Sequence, residues 1–475
     1  MPPVLGKQLS LRMGDGGLQM AEDLAIMDDD EVHADRVAAI LEAVEAEDAP
    51  RLTVLLEPLH AADIADLLEQ ISSSERRGLL TLWSGEIDGE LLSEIDESIR
   101  EEVIGALPRE VVAEAMRELD SDDVVDILED LDTPQQDIIL GALELADRVA
   151  VEQALAYPED SAGRLMQREV VVAPEHWTVG EAIDFLRTAE HLPDQFYHVI
   201  LTDLSMVPKG YVTLGRLLSS RRDIQMLDIL EDSFRTVPVT ESEADVAYMF
   251  NQYHLISAPV VNADGRLVGV ITIDDAMNVL DEEHEQDMLR LAGVGDDSSL
   301  SDGAFASARQ RLPWLVVNLF TASISAFVIS RFENTISMLV TLAALMPIVA
   351  STGGIAGTQS LAVAVRALAT RSLTSANAKR VVMRELQGGL LNGMGLAIIL
   401  GVGGFLIFGD WKLGVVLGVA MIANQVVAAL GGVLVPLGLQ RLKLDPALAS
   451  GTFVTTLTDV FGYLTFLGLA SLVLL

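Results

Sequence analysis

The chain has no cysteine. Disulfides, thiolate zinc sites and cysteine nucleophiles are therefore excluded. Positive charge is also scarce: 31 lysines and arginines stand against 71 aspartates and glutamates, for a net charge of −40. Acids are in turn rare beyond residue 310. Only Glu333, Glu385, Asp410, Asp445 and Asp459 lie there, with ten bases, so the front of the chain carries −45 and the remainder +5. An acidic soluble region repels nucleic acid and anionic lipid and attracts cations, and its carboxylates suit hard ions. Solubility alone is the competing reading for most of these acids. No phosphate loop and no hydrolase or transferase constellation stands out, so neither an ATP-driven pump nor an enzyme is expected. Residues 1–30 lack the apolar core stretch of a secretory signal. A disordered lead over 1–33 and an uncleaved cytoplasmic N-terminus are the expectation.

Beyond residue 311 come five runs nearly free of charge: Pro313–Ser330, Ile336–Val365, Leu386–Gly409, Leu413–Gln440 and Pro446–Leu475. Each is long enough to span a membrane as a helix. Bases collect before the first run, between the second and third (Arg366, Arg371, Lys379, Arg380, Arg384) and between the fourth and fifth (Arg441, Lys443). The positive-inside rule then puts the soluble region in the cytoplasm and the C-terminus outside, in a multi-pass protein of the cell (inner or plasma) membrane. Glycines crowd the third and fourth runs, where small residues let helices approach closely. Five helices are few to enclose a polar path, which favours a homodimer. The second run holds Pro347 and the stretch Ser351–Gln359, which includes Gly353, Gly354 and Gly357. This predicts a break in the helix, with freed carbonyls facing an ion or, alternatively, a flexible packing kink.

Asp459 is the sole acid between Pro446 and Leu475. At about 1.5 Å per residue from Leu448 it lies roughly 16 Å into a hydrocarbon core about 30 Å thick. A charge there costs roughly 2.5 to 3.5 kcal/mol, which marks an ion or proton path by default. The bland alternative is a carboxylate paired with a buried base.

The soluble region reads as two domains. Residues 34–155 form an acidic helical-repeat domain, in which units starting near Leu55, Ala106 and Leu119 recur loosely, each a capped turn followed by an apolar i, i+3, i+4 face. Repeated short helices imply a superhelical stack. Its outer acids are solvated faces or weak cation sites. Residues 156–278 alternate strands (Glu169–Val172, Tyr197–Thr202, Ala258–Val261, Leu267–Ile273) with helices (Val179–Arg187, Glu243–Tyr253), and Asn262–Arg266 has the Asp-Gly signal of a hairpin. Residues 279–310 make an amphipathic acidic helix, Val279–Val294, and a linker into the membrane region 311–475. The helix is an inert connection or a cation-binding lever.

Two copies of a β-α-β-β-α plan end in Gly210–Leu218 and Gly269–Met277. This resembles a tandem pair of cystathionine-β-synthase (CBS) modules. The second copy carries the Thr-x-x-Asp pattern (Thr272, Asp275) that such modules use for an adenosine ribose, so ATP or another adenine nucleotide is a candidate ligand; the first has Arg216 in place of the Asp. The whole order resembles the MgtE family of magnesium channels, carried by the strings Tyr157–Met166, Leu291–Val294, Arg366–Arg371, Asp445–Leu448 and Leu457–Gly462. The resemblance implies a homodimer and Mg2+ permeation, with Asp459 of each subunit around a hydrated ion and Asn424 close to the path. It also implies cytosolic Mg2+ at Asp275, Glu283, Asp287 and Asp445, holding the pore shut. Ile355, Asn278 and Gln286 depart from the family's polar or acidic residues.

The residues agree with a Mg2+ cargo on their own account. Mg2+ keeps several waters and binds through one or two carboxylates, whereas softer metals favour His, Cys or Met. The five runs contain neither His nor Cys. A gated, Mg2+-importing dimeric channel is the expectation. A broader carrier of Co2+, Mn2+ or Ca2+, a membrane-tethered CBS sensor and a proton-coupled carrier are the rivals.

Overall fold

The computed structural model of the protein describes residues 29–475, apart from 84–86, 190–191, 194, 295–303 and 375. The lead expected over 1–33 lies outside the described residues up to 28, and the linker does so over 295–303. The described chain forms two compact units, divided after Leu280.

Among the described residues the first unit opens with ten helices: α1 (Asp29–Glu45), α2 (Ala49–Leu56), α3 (Ala61–Gln70), α4 (Ser73–Trp83), α5 (Gly89–Ser93), α6 (Glu97–Ala106), α7 (Arg109–Glu118), α8 (Ser121–Glu129), α9 (Thr133–Ala142) and α10 (Leu145–Ala154). The starts of α4, α6, α8 and α10 fall 24 residues apart, so a regular helix-pair repeat underlies the loosely recurring units of the sequence. Apolar faces of all pairs share one core, which includes Leu56, Leu68, Leu80, Leu92, Ile99 and Ile127. Part of the acid excess is local: Asp48, Asp88, Asp96 and Asp132 cap helix N-termini by accepting first-turn N–H groups, where negative charge also meets the positive end of the helix dipole.

Two buried arginines one repeat apart tie consecutive pairs together. Arg76 Nε donates to the Leu68 carbonyl (2.7 Å) and its Nη1 to Glu102 (2.6 Å). Arg100 Nε donates to the Ile95 carbonyl (3.1 Å), and its guanidinium pairs with Asp126 (3.0 Å) and Asp130 (2.5 Å). Each arginine thus satisfies carbonyls at the end of one helix pair and an acid of the next. Arg100→Ala is expected to destabilise this domain by about 3–5 kcal/mol, because removing one partner strands the others. Amide exchange over 97–130 should accelerate about a hundredfold or more; unchanged exchange would show the contact to be dispensable.

Next come α11 (Ala162–Leu165), β1 (Val172–Pro174), α12 (Val179–Thr188), β2 (His198–Thr202), β3 (Pro208–Thr213), α13 (Leu214–Ser219), β4 (Val237–Pro238), α14 (Glu243–Tyr253), β5 (Ser257–Val261), β6 (Leu267–Thr272) and α15 (Ile273–Ala292). The strands make two sheets of one plan, β1-β2-β3 and β4-β5-β6, each with a parallel pair and then an antiparallel pair. Even the register shift repeats, at Leu201/Thr202 and at Val260/Val261. The hairpins match as well. Asn262 Oδ1 accepts from the Asp264 and Arg266 N–H groups, with Gly265 at φ +76°. Asp203 Oδ1 accepts from Ser205 and Val207, with Met206 at φ +62°. The first hairpin escapes a reading of the sequence because a methionine occupies the left-handed position that glycine usually marks.

Two boundaries differ from expectation. The first strand starts at Val172 rather than Glu169, because Gln167 pairs instead with Val270 and the Glu169 carboxylate accepts from Ser121 and from the Arg168 N–H. The acidic helix does not begin at Val279 either. It is the second half of α15, which starts at Ile273 where the Thr272 hydroxyl and N–H both turn to Asp275. It stops where Gly293 takes φ +75° and the Val294 N–H reaches back to the Leu289 carbonyl, a left-handed C-terminal cap.

The second unit holds the rest of α15, then α16 (Ala304–Ser330), α17 (Glu333–Met338), α18 (Thr341–Ala369), α19 (Ala378–Phe408), α20 (Trp411–Arg441) and α21 (Pro446–Val473). Five of these are long and apolar enough to cross a membrane. The expected break at Pro347 and Ser351–Gln359 is absent: α18 runs through both, and the interruption comes earlier, at Leu339–Val340. The glycines there serve close packing instead. A Cβ on Gly353 would sit 2.1 Å from Asn424 Nδ2, and one on Gly357 2.6 Å from Val454. Gly401 and Gly414 likewise bring α19 and α20 into backbone contact, a Cβ on Gly414 lying 2.5 Å from the Gly401 carbonyl.

Candidate functional site

Helix α21 starts with Asp445 as its N-cap, Oδ1 accepting from Ala447 N–H at 2.7 Å, and Pro446 in its first turn. Val454, Thr458, Gly462 and Phe466 recur at turn spacing and are buried. Beside this stripe runs a second one of Thr452, Thr455, Thr456, Asp459 and Tyr463, all half-buried. At 100° per residue these five fall on one side of the helix, a polar track along an apolar span. Two threonines settle their hydroxyls on their own helix: Thr456 on the Thr452 carbonyl (2.7 Å) and Thr458 on the Thr455 carbonyl (2.8 Å). Asp459 makes no ion pair among the described residues, so the reading as a paired structural carboxylate finds no partner. Together with Asp459 its four companions are legible as i, i+3, i+4, i+7, i+11 spacing, a signal that attention to the lone acid passes over.

Asn424 of α20 is fully buried. Its Nδ2 donates to the Val349 carbonyl of α18 at 2.8 Å, and neighbouring Gln425 donates to the Thr352 carbonyl at 3.2 Å. Two carbonyls of α18, one just before the Gly-rich stretch and one within it, are thus taken by side-chain amides. Gly462, one turn beyond Asp459, admits Asn424 so closely that a Cβ there would lie 2.9 Å from its Nδ2. Asn424 Oδ1 is buried and has no hydrogen-bond partner among the described residues. An unmet buried acceptor costs roughly 1–3 kcal/mol, so a ligand's donor there would be welcome. Ile355 is 57% exposed and takes no part in this packing.

The acids assigned to cytosolic cations fall into two groups. In the second unit Asp287 and Asp445 flank Arg290. Arg290 Nε lies 3.3 Å from Asp445 Oδ2, and its Nη2 donates to Gln286 (2.9 Å). Burial, then the Asp445 charge, raise the Asp287 pKa against the pull of Arg290 and His284. Glu283, one turn before Asp287, is half-buried. In the first unit Asp275 is joined by acids that composition alone leaves as solvated faces. The first turn of α8 presents Asp122 and Asp123, and that of α15 presents Asp274 and Asp275. Burial first, then Asp275, raise Asp122 well above the usual carboxylate range. Burial, then Asp275 and Asp120, bring Asp123 to about 7. Asp275 is raised by burial, against the Thr272 hydroxyl that donates to it. Ser121 and Gln167 hold α8 in place through Glu169 (2.9 Å) and Asp120 (3.2 Å). Among the described residues no three carboxylates or histidines come close enough to ligate one bare ion. In the first CBS copy Arg216 fills the acid's place and pairs with Glu231 at 3.4 Å, and Thr213 bonds the same carboxylate.

Three family profiles match the chain: a divalent cation transporter domain (MgtE) over residues 346–469, an MgtE intracellular N domain over 59–160, and a CBS domain over 227–282. The magnesium transporter MgtE of Thermus thermophilus is 34% identical over 441 residues, 92% of this chain and 98% of that protein. That of Enterococcus faecalis is 34% identical over 328 residues, 68% of this chain and 71% of that protein. That of Bacillus subtilis is 27% identical over 417 residues, 88% and 92% respectively. A polar track on one of five apolar helices, a helical repeat and a CBS pair thus occur here together with matching sequence along nearly the full length, and the chain belongs to the MgtE family.

Proposed function

We propose that this protein is a multi-pass Mg2+ channel or transporter that imports Mg2+ and is gated by cytosolic Mg2+. The observation that carries the reading is Asp459, a carboxylate without a basic partner on the polar face of an apolar helix. Mg2+ surrenders water reluctantly. A carboxylate, threonine oxygens one and two turns away and the unmet Asn424 Oδ1 suit an ion that arrives hydrated, because they can accept from its waters. Helix α16 is barely buried in the single chain and exposes Leu312, Leu315, Leu319 and Phe320, which fits lipid and a second copy around it. A homodimer would bring two Asp459 side chains to one path. The bases between the second and third and between the fourth and fifth spans support a cytoplasmic soluble unit.

For the gate, the first turns of α8 and α15 set Asp122, Asp123 and Asp275 against one another. Cytosolic Mg2+, still carrying most of its waters, relieves that repulsion. Asp287 and Asp445 act likewise, with Arg290 as a resident cation between them. An adenine nucleotide at Thr272 and Asp275 would compete with α8 for the same carboxylate. The test is Mg2+ uptake into liposomes by the purified protein, with Co2+, Mn2+ and Ca2+ as competitors. Uptake that ignores an imposed pH gradient and yields to no competitor at equal concentration is the expected result. Absence of uptake would leave a tethered sensor, and equal competition a broader divalent carrier.

A further inference from the structure

The first turns of α19 carry Lys379, Arg380 and Arg384. With Ala376, Met383 and Gln387 they line a groove of about 500 Å3. None of the three bases makes an ion pair among the described residues, and the adjacent acid, Glu385, accepts the Ser360 hydroxyl at 3.0 Å instead. Beside the groove, Asn377 accepts from the Thr374 N–H (2.8 Å) and donates to the Ser372 carbonyl (2.7 Å). Topology alone accounts for bases at a membrane border, but not for their ringing a groove that includes an exposed methionine. The apolar stripe further along the helix is what a membrane span requires, and here it begins inside the groove itself, at Met383. Met383, Leu390, Met394 and Ile398 recur at turn spacing, 40–67% exposed, and at 100° per residue they share the side of α19 that bears the bases. Positive charge at one end and an apolar stripe leading away from it, interrupted at Gln387, match one kind of molecule.

We propose that this groove binds an anionic phospholipid, with the headgroup phosphate among Lys379, Arg380 and Arg384 and an acyl chain along the stripe from Met383 to Ile398. A soluble phosphate would use the bases but leave the stripe idle. Basic pockets beside membrane helices on the cytoplasmic side favour such headgroups, each base near the surface contributing about fivefold in affinity.

The experiment is native mass spectrometry of the full-length protein titrated with phosphatidylglycerol, phosphatidylcholine or inorganic phosphate. Wild type should retain phosphatidylglycerol in preference to phosphatidylcholine. The triple variant K379Q/R380Q/R384Q should lose about a hundredfold in that affinity. Because it also removes charges that orient the span, Met383→Glu serves as the second variant: it keeps every base, sets a carboxylate among them and should lose about tenfold. Equal retention of both lipids by wild type, or unchanged binding by Met383→Glu, overturns the proposal. Displacement of the lipid by inorganic phosphate at equal concentration overturns it too, since the stripe would then contribute nothing.

Discussion

Asp459→Ala should reduce Mg2+ uptake into liposomes by about a hundredfold or more, and Asp459→Asn nearly as much, while both variants insert and fold at least as well as wild type. The two halves of this expectation have opposite signs for one reason. A carboxylate at mid-membrane costs roughly 2.5 to 3.5 kcal/mol, so removing it relieves the span. The same charge is what a divalent cation meets at that depth; the other acid inside the described spans, Glu385, stands two turns into α19 and accepts the Ser360 hydroxyl. Asparagine retains shape and hydrogen bonding but not charge, which separates electrostatic attraction from simple polarity. Thr455→Val and Tyr463→Phe, on the same face, should have smaller effects. Flux surviving in Asp459→Asn would sink the channel reading, whatever the variant's stability.

Much of this is legible in the sequence because the signals are local. Five apolar runs and a lone acid need no tertiary knowledge, nor does the Asn262–Arg266 turn. Helices α12 and α14 begin at their expected residues, because Thr178 and Ser242 cap them by side-chain bonds to Glu181 and Asp245 N–H groups. The features that escape are set by partners distant in the chain. The Gly353–Gly357 stretch looks like a helix break since glycine and proline weaken helices locally. It stays helical because Asn424 and Val454 occupy the space that side chains would have filled. Propensity loses to packing there.

The helical repeat shows the same division. Its apolar faces are readable, but the 24-residue period is blurred by a short α5 and by Val124 in the position that Arg76 and Arg100 hold in the preceding repeats. That substitution changes the electrostatics of the third repeat. Where the earlier repeats bury an arginine among their acids, α8 has none, and its Asp122 and Asp123 are left facing Asp275. Only the fold brings α8 and α15 together, so no window of sequence could have shown it.

Asp122→Asn/Asp123→Asn should therefore lock the junction between the helical domain and the CBS pair without any Mg2+. In wild type at pH 8 the chain around 155–170 should be cut readily by protease without Mg2+ and resist it in millimolar Mg2+. The double variant should resist in both. The pH dependence follows from Asp123, whose carboxyl is brought to about 7 in the folded junction, against the usual carboxylate value near 4. The folded form therefore binds the extra proton. Junction stability is greatest at acid pH, declines as pH rises from about 4 to about 7 and levels off above that. Mg2+ and the proton relieve the same repulsion, so protection by Mg2+ should be weak at pH 6 and strong at pH 8, changing by up to about tenfold per pH unit between them. The double variant should show neither dependence. If it still needs Mg2+ for protection, or if wild type responds to the ion equally at pH 6 and pH 8, these carboxylates are not the sensor and the gate must lie with Asp287 and Asp445, where Arg290 already supplies part of the counter-charge.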